Sequence, residues 1–311
     1  MKATAWNSAA IGVALTVVIV YAIHSEAGLY FGSAFALISL MLIGIPHGSL
    51  DHVIKEKTSG MVSKGQFSLL KFLGVYLLTM AVYALFWVWL PAFSLVFFLV
   101  MSAYHFGETD LVESGVSQPV IRRLGFLLYG SLLIFGLLAN DVVQTTEIIS
   151  SMLPESALLA GFVSLTEQFP LLRHAEFIAL GLRVLTVRSG LFDHLRIGAI
   201  LFIALFLPLL EGFLLYFCHH HAWVNLVRMK ESIYEDSSAG LYSMVKDMTP
   251  FSLISVVGII ILVASSPLWL SHVNPVLLFF ILISVLTLPH AGIMTEFYSL
   301  RKSKSGSVQP G

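Results

Sequence analysis

Apolar residues run along this chain in long, nearly unbroken blocks, and polar residues gather in short clusters between them. The blocks cover roughly residues 5–23, 28–46, 67–89, 91–106, 124–139, 170–187, 192–207, 209–224, 251–270 and 274–298. They are continuous rather than alternating, which predicts helices and argues against a β-barrel. A bilayer core asks for about 20 helical residues, and several blocks are a little shorter than that. The pattern predicts an all-α, polytopic integral membrane helix bundle with eight to ten transmembrane helices. The polar stretch 140–168 predicts a short helix at the membrane surface.

Composition sharpens the picture. The chain of 311 residues is 57% hydrophobic and only 11% charged, where soluble proteins average about 45–50% and about 25%. The mean hydropathy is +0.89. So few charges cannot solvate the surface of a water-soluble globule of this size. A soluble enzyme, a disordered chain and a sizeable extramembrane domain are excluded. A single transmembrane catalytic domain is expected over 1–302, with 303–311 (SKSGSVQPG) as a disordered tail.

Lysine and arginine set the orientation. They gather after the second and fourth blocks, around 183–196, within 226–250 and at 301–304, whereas the opposite loops carry Glu26, Asp141, Glu147 and Glu155. An even number of crossings with both termini cytoplasmic satisfies all of these, in the cell (inner) membrane. Ten spans do so directly; eight require 157–187 to lie on the surface. The first block reads as a span rather than a cleaved leader. A net charge of −1 points to no nucleic-acid partner, and the lone Cys218 to no disulfide.

The unusual feature is 11 histidines in so apolar a chain. Ionisable groups inside a membrane are costly and point to function. Three blocks begin at a proline and reach a histidine 13–15 residues later: Pro91 to His105, Pro208 to His221, and Pro275 to His290. At about 1.5 Å per residue this sets the three at similar depth, where His47 at the end of the second block joins them. In a regular helix Asp51 would share a face with His47 and orient its ring, with His52 off that face. Glu108 follows His105 by one turn, while Asp110 reads as a solvated residue. Of His219, His220 and His221, which point about 100° apart on a helix, His221 is favoured, with Asn225 on its face. Pro289 interrupts the last block just before His290. His24, His174, His194 and His272 read as interfacial. Glu211, ten residues before His221, either joins the site or pairs with another helix. Four imidazoles suit iron, zinc, copper or nickel, and spacing does not choose between them.

At these residues the chain resembles the bacteriorhodopsin-related-protein family of membrane β-carotene 15,15′-dioxygenases. The matching pieces are Gly-Ile-Pro-His47-Gly-Ser-Leu-Asp51, Ser-Ala-Tyr-His105-Phe-Gly, Tyr-Phe-Cys-His-His-His221 and Leu-Thr-Leu-Pro-His290, in family order across roughly 30–298. The resemblance implies a non-haem Fe(2+) site that uses O₂ to cut β-carotene into two retinals, with a retinal-binding rhodopsin as a downstream link. It places His47, His105 and His221 on metal-ligand positions. Many members carry His-Ser-x-x-His in the third motif, where this chain has His221-Ala-Trp-Val-Asn225. His290 is the preferred substitute for the missing histidine, then His220, with Asn225 a weaker oxygen donor. Asp51, His52 and Glu108 are supporting or alternative groups. No further cofactor site is expected.

A substrate that lives in lipid needs an apolar tunnel, for which Tyr104, Phe106, Phe217, Trp223 and Phe297 adjoin the motifs. Two other readings use the same residues. A di-iron desaturase or hydroxylase would draw on His47, His52 and the 219–221 run, but asks for more ligands than the clusters supply. A metal or small-molecule transporter shares the prolines and the common depth, without a clear inverted repeat. A relative that has lost catalysis through Asn225 is the remaining alternative.

Overall fold

The computed structural model describes residues 12, 15–16, 18–20, 22–62, 67–153, 156–234, 237–269 and 275–306. Most of the first apolar block, His272 and residues 307–311 lie outside them. The described chain is helical, with one isolated antiparallel bridge between Ser114 and Val187. In order it forms α1 (Ser25–Ser39), a π turn (Leu40–Gly44), α2 (Ile45–Gly48), α3 (Asp51–Val62), α4 (Leu69–Trp89), α5 (Pro91–Leu111) and α6 (Pro119–Asn140). Then come α7 (Val142–Met152), α8 (Ala157–Gln168), a 3₁₀ turn (Pro170–His174), α9 (Ala175–Thr186), α10 (Leu191–Ala204) and α11 (Leu209–Tyr216). A second π turn (Phe217–Ala222) leads into α12 (Trp223–Ile233), α13 (Ser238–Trp269) and α14 (Pro275–Gly306).

The prolines mark helix starts as their chemistry dictates. Pro91 and Pro275 open α5 and α14, and Pro208 precedes α11, where a missing N–H breaks no helical bond. Six of the described helical stretches are long and apolar enough to cross a membrane: 26–59, 69–89, 91–111, 119–140, 238–262 and 277–301. The blocks at 170–187 and 192–207 become α9 and α10, of 12 and 14 residues. At about 1.5 Å per residue neither matches a hydrocarbon core about 30 Å thick. The block at 209–224 is divided by its π turn. The expected surface helix at 140–168 is two helices, α7 and α8. Helix α13 starts at Ser238, well inside the stretch expected to be a loop, and α14 runs through Gly306, into the expected tail.

The chain forms two compact units, Met1–Gly44 with Phe106–Val224, and Ile45–His105 with Asn225–Gly311. In the first unit α6 packs along α9, and α11 packs on α1 and α10. Two glycines permit close approaches there. A Cβ on Gly107 would fall into the backbone of Phe126, and one on Gly136 into the backbone and carboxylate of Glu176. In the second unit α14 packs on α3 and α4, and α13 on α2. Trp87 of α4 donates from Nε1 to Ser284 Oγ of α14 at 2.7 Å, and the Tyr83 hydroxyl donates to the Ser94 carbonyl at 2.9 Å. The outward faces are apolar: Leu70, Val75, Leu78 and Val88 of α4 and Leu253, Ile254 and Ile261 of α13 are all exposed. In lipid such faces need no cover.

Candidate metal centre

In the second unit three imidazoles come together from three separate helices. His47 sits on the single turn α2, directly after Pro46, His105 near the end of α5, and His290 in the middle of α14. All three are buried. The rings of His47 and His290 meet edge to face with centroids 4.7 Å apart, and those of His105 and His290 at 5.3 Å. A Cβ on Gly48 would lie 3.8 Å from His290 Nδ1, so this corner is close-packed.

Helix α14 shows why His290 stands where it does. Pro289 lacks an N–H and its ring crowds the carbonyl four residues back, at Val285. Just before it, Ser284 and Thr287 turn their hydroxyls onto the carbonyls of Ile281 and Ile283, both at 2.7 Å. Such back-bonding bends helices.

Asp51 braces His290. Its Oδ1 lies 2.8 Å from His290 Nδ1 and its Oδ2 accepts from the Tyr76 hydroxyl at 2.9 Å. A carboxylate on one ring nitrogen fixes the tautomer and leaves the other nitrogen as a donor atom. That other nitrogen, His290 Nε2, is buried and takes no hydrogen bond among the described residues. The pairing differs from the spacing argument, which joined Asp51 to His47. The helix breaks at Ser49 and Leu50, so the one-turn relation between positions 47 and 51 does not hold. His52 turns its Nδ1 to the Ser49 carbonyl at 3.1 Å and its ring to Phe251.

The donor chemistry of this cluster fits a metal: three buried nitrogen bases, one with an oriented ring and a nitrogen left over. Among the described residues no group of three or more His, Cys, Asp or Glu is already set to hold an ion. The rings lean on one another edge to face.

The other expected site residues have different surroundings. His221 belongs to the first unit, stacked on Phe217 at 5.8 Å and edge-on to Phe106 at 4.4 Å. Phe213 and Tyr216 complete that aromatic group around Phe106; neither stood out in the sequence, although both lie one helical turn from Phe217 or His220. His219 stacks on Phe35 and meets Ser39 Oγ at 2.9 Å. His220 has partners on both nitrogens, Asp110 at 2.6 Å and Arg196 at 3.0 Å. Glu108 is buried near the end of α5. Asn225 is buried in the second unit and its Oδ1 accepts from the Tyr298 hydroxyl. Of the tunnel candidates, Phe106 and Phe297 are buried, while Tyr104, Phe217 and Trp223 are half-buried.

Outside the metal cluster one expectation changes, one open alternative is decided, and two histidines gain partners. Asp110 is buried and hydrogen-bonded rather than solvated. Glu211 pairs with another helix, accepting from Ser33 at 2.6 Å. His24 caps α1 by accepting from the Ala27 N–H, and His194 sits against Arg183 and Ser189.

Comparison with known proteins adds an independent line. A profile of the family described as beta-carotene 15,15'-dioxygenase matches residues 38–298. A curated protein of that name from an uncultured marine bacterium, 66A03, is 41% identical over 81 residues, which is 25% of this chain and 28% of that relative. The alignment thus spans little more than a quarter of the relative. No solved structure matches.

Proposed function

Because the chain belongs to the β-carotene 15,15′-dioxygenase family, we propose that it is a multi-pass membrane enzyme that cuts the central double bond of β-carotene with O₂, giving two molecules of retinal. The observation that carries this reading is the meeting of His47, His105 and His290 in the apolar interior, with Asp51 holding His290 from behind. His47, His105 and His290 would hold an Fe(2+) ion. Bound there, ferrous iron would bind O₂ and lift the spin barrier to its reaction with a closed-shell polyene, with no net change in the metal.

The chain's own groups do the rest. Asp51 and Tyr76 keep the His290 ring in one orientation and one tautomer. Neutral imidazoles add no charge to the site, which suits a hydrocarbon substrate drawn from lipid. The reaction balances without a further reductant: the central C=C breaks and each carbon keeps one oxygen atom of O₂ as an aldehyde. No proton has to enter or leave. The membrane is the cell (inner) membrane in this reading, and the product would pass to a retinal-binding protein such as a rhodopsin.

The test is retinal, measured by chromatography after expression in a β-carotene-accumulating bacterium beside a His47→Ala control. Retinal from the unmodified chain alone, with about one iron per purified chain, is the expected result. No retinal from well-expressed, iron-replete protein would overturn the reading, and two irons per chain would point to a di-iron oxidase instead.

A further inference from the structure

The first unit holds a buried acid that the proposed reaction does not use. Glu176, in the first turn of α9, is fully buried. Both of its carboxylate oxygens are enclosed and take no hydrogen bond among the described residues. The carboxylate is pressed against α6 at Gly136, where a Cβ would lie 1.8 Å from Oε2. That contact leaves no room on this side for a water or a cation. One helical turn beyond Gly136, the Asn140 amide faces the carboxyl, and its own Oδ1 is buried and unbonded as well.

An ionised carboxylate without a partner is costly in such a place, so the groups around it decide its charge. On α9 its own backbone N–H faces it, and the start of a helix favours a negative charge. From the 3₁₀ turn, His174 Nδ1 stands 4.0 Å from Oε1, but that ring is more than half exposed and screened by water. Arg173 of the same turn donates to the Thr166 carbonyl instead. Of the charged groups on α10, Asp193 and His194 lie on Arg183, two turns further along α9, and Arg196 lies on Asp193. On α6, Arg122 and Arg123 are in the first turn, at the far end from Gly136. No cation is therefore aimed at Glu176 to hold its charge. Helix α9 is not among the six stretches able to cross a membrane, and burial pushes its Glu176 carboxyl up to about 7.

We propose that Glu176 is a proton-operated latch: as the neutral acid it lets α6 and α9 close over it, and loss of the proton loosens that seam. Neutral, its O–H is a donor for the Asn140 oxygen, so one proton satisfies two stranded acceptors. The folded chain then binds this proton more tightly than the unfolded chain does. The stability it adds is complete below about 4.5 and is lost as the pH rises to about 7. The latch uses none of the clustered histidines of the second unit.

The experiment uses the full chain in lipid nanodiscs, with Glu176→Gln as the permanently neutral mimic. Infrared difference spectra between the two should contain a carboxylic-acid C=O band that disappears with a midpoint near 7. Between about pH 5 and about pH 8 the parent Tm should fall by several degrees, and amide exchange along 175–180 should quicken. Glu176→Gln should match the parent at the lower pH, stay level, and be the more stable at the higher. Asn140→Leu, which removes the amide facing the carboxylate, should raise the midpoint and needs no change at Glu176 itself. No acid band at about pH 5 would overturn the proposal, and so would a pH slope retained in Glu176→Gln. A parent Tm that rises with Na⁺ or Ca²⁺ at about pH 8, and only while Glu176 is present, would make this a cation site and overturn the latch.

Discussion

At the scale of single residues, the cluster depends on how each imidazole is held as much as on its presence. His290 has its Nδ1 on Asp51 and a buried Nε2 left over, so it should be the ligand most sensitive to its support. Asp51→Asn is expected to lower iron affinity by about 10- to 100-fold, read by metal titration of the purified protein. His290→Ala should abolish retinal formation and deplete iron, while His24→Ala, which alters only a helix cap, should leave both intact. The four histidine motifs were legible in the sequence because a titratable ring in an apolar block is conspicuous. Asp110 was not. It follows Glu108 at the end of a block and looks like the start of a wet loop, and its partners lie 19, 106 and 110 residues away. The partner of Asp51, 239 residues distant, was hidden in the same way: a local spacing rule offered His47, and the helix breaks between them.

At the scale of elements, glycine decides which helices can touch. Gly107→Ala would drive a methyl into the carbonyl of Phe126, on the backbone of α6. A main chain cannot step aside as a side chain can, so a loss of about 1–3 kcal/mol or more is expected, visible as a lower Tm. Gly74→Ala on α4, with open space at its Cβ, should cost far less. The π turns set the register of the motifs. Gly44, closing the first, lies against the second, where a Cβ would be 3.0 Å from Phe217 and 3.2 Å from the Cys218 sulfur. Each π turn carries one residue more than an α-helix would. Deleting Cys218 should turn the bulge into a regular helix, move His219, His220 and His221 off their present partners and abolish activity, whereas Cys218→Ala should be tolerated. Helix positions were largely legible from proline and hydropathy. The π turns were not, because an extra residue in a helix leaves the apolar pattern almost unchanged.

At the scale of the whole molecule, charge counting and burial tell different stories about the same arginines. Arg183 and Arg196 were counted as loop charges facing the cytoplasm, yet both are buried in ion pairs with Asp193. The remaining votes, from Lys55 to Arg301, still favour a cytoplasmic carboxyl end. A reporter fused after Gly311 should be active in the cytoplasm, and activity on the far side would reverse the orientation. The all-α membrane class was legible from composition alone, because lipid removes the need for polar cover. The division into two units was not, since each is assembled from two stretches far apart in the chain. That division has a consequence for synthesis. The chain leaves the ribosome in order, so the first unit has all of its residues once Val224 has emerged. The second holds His47 and His105 early and receives His290 only with the last helix. Any message truncated before Pro275 would therefore yield an inserted, partly folded protein with two of its three clustered imidazoles, a product for quality control to remove and never a slow enzyme.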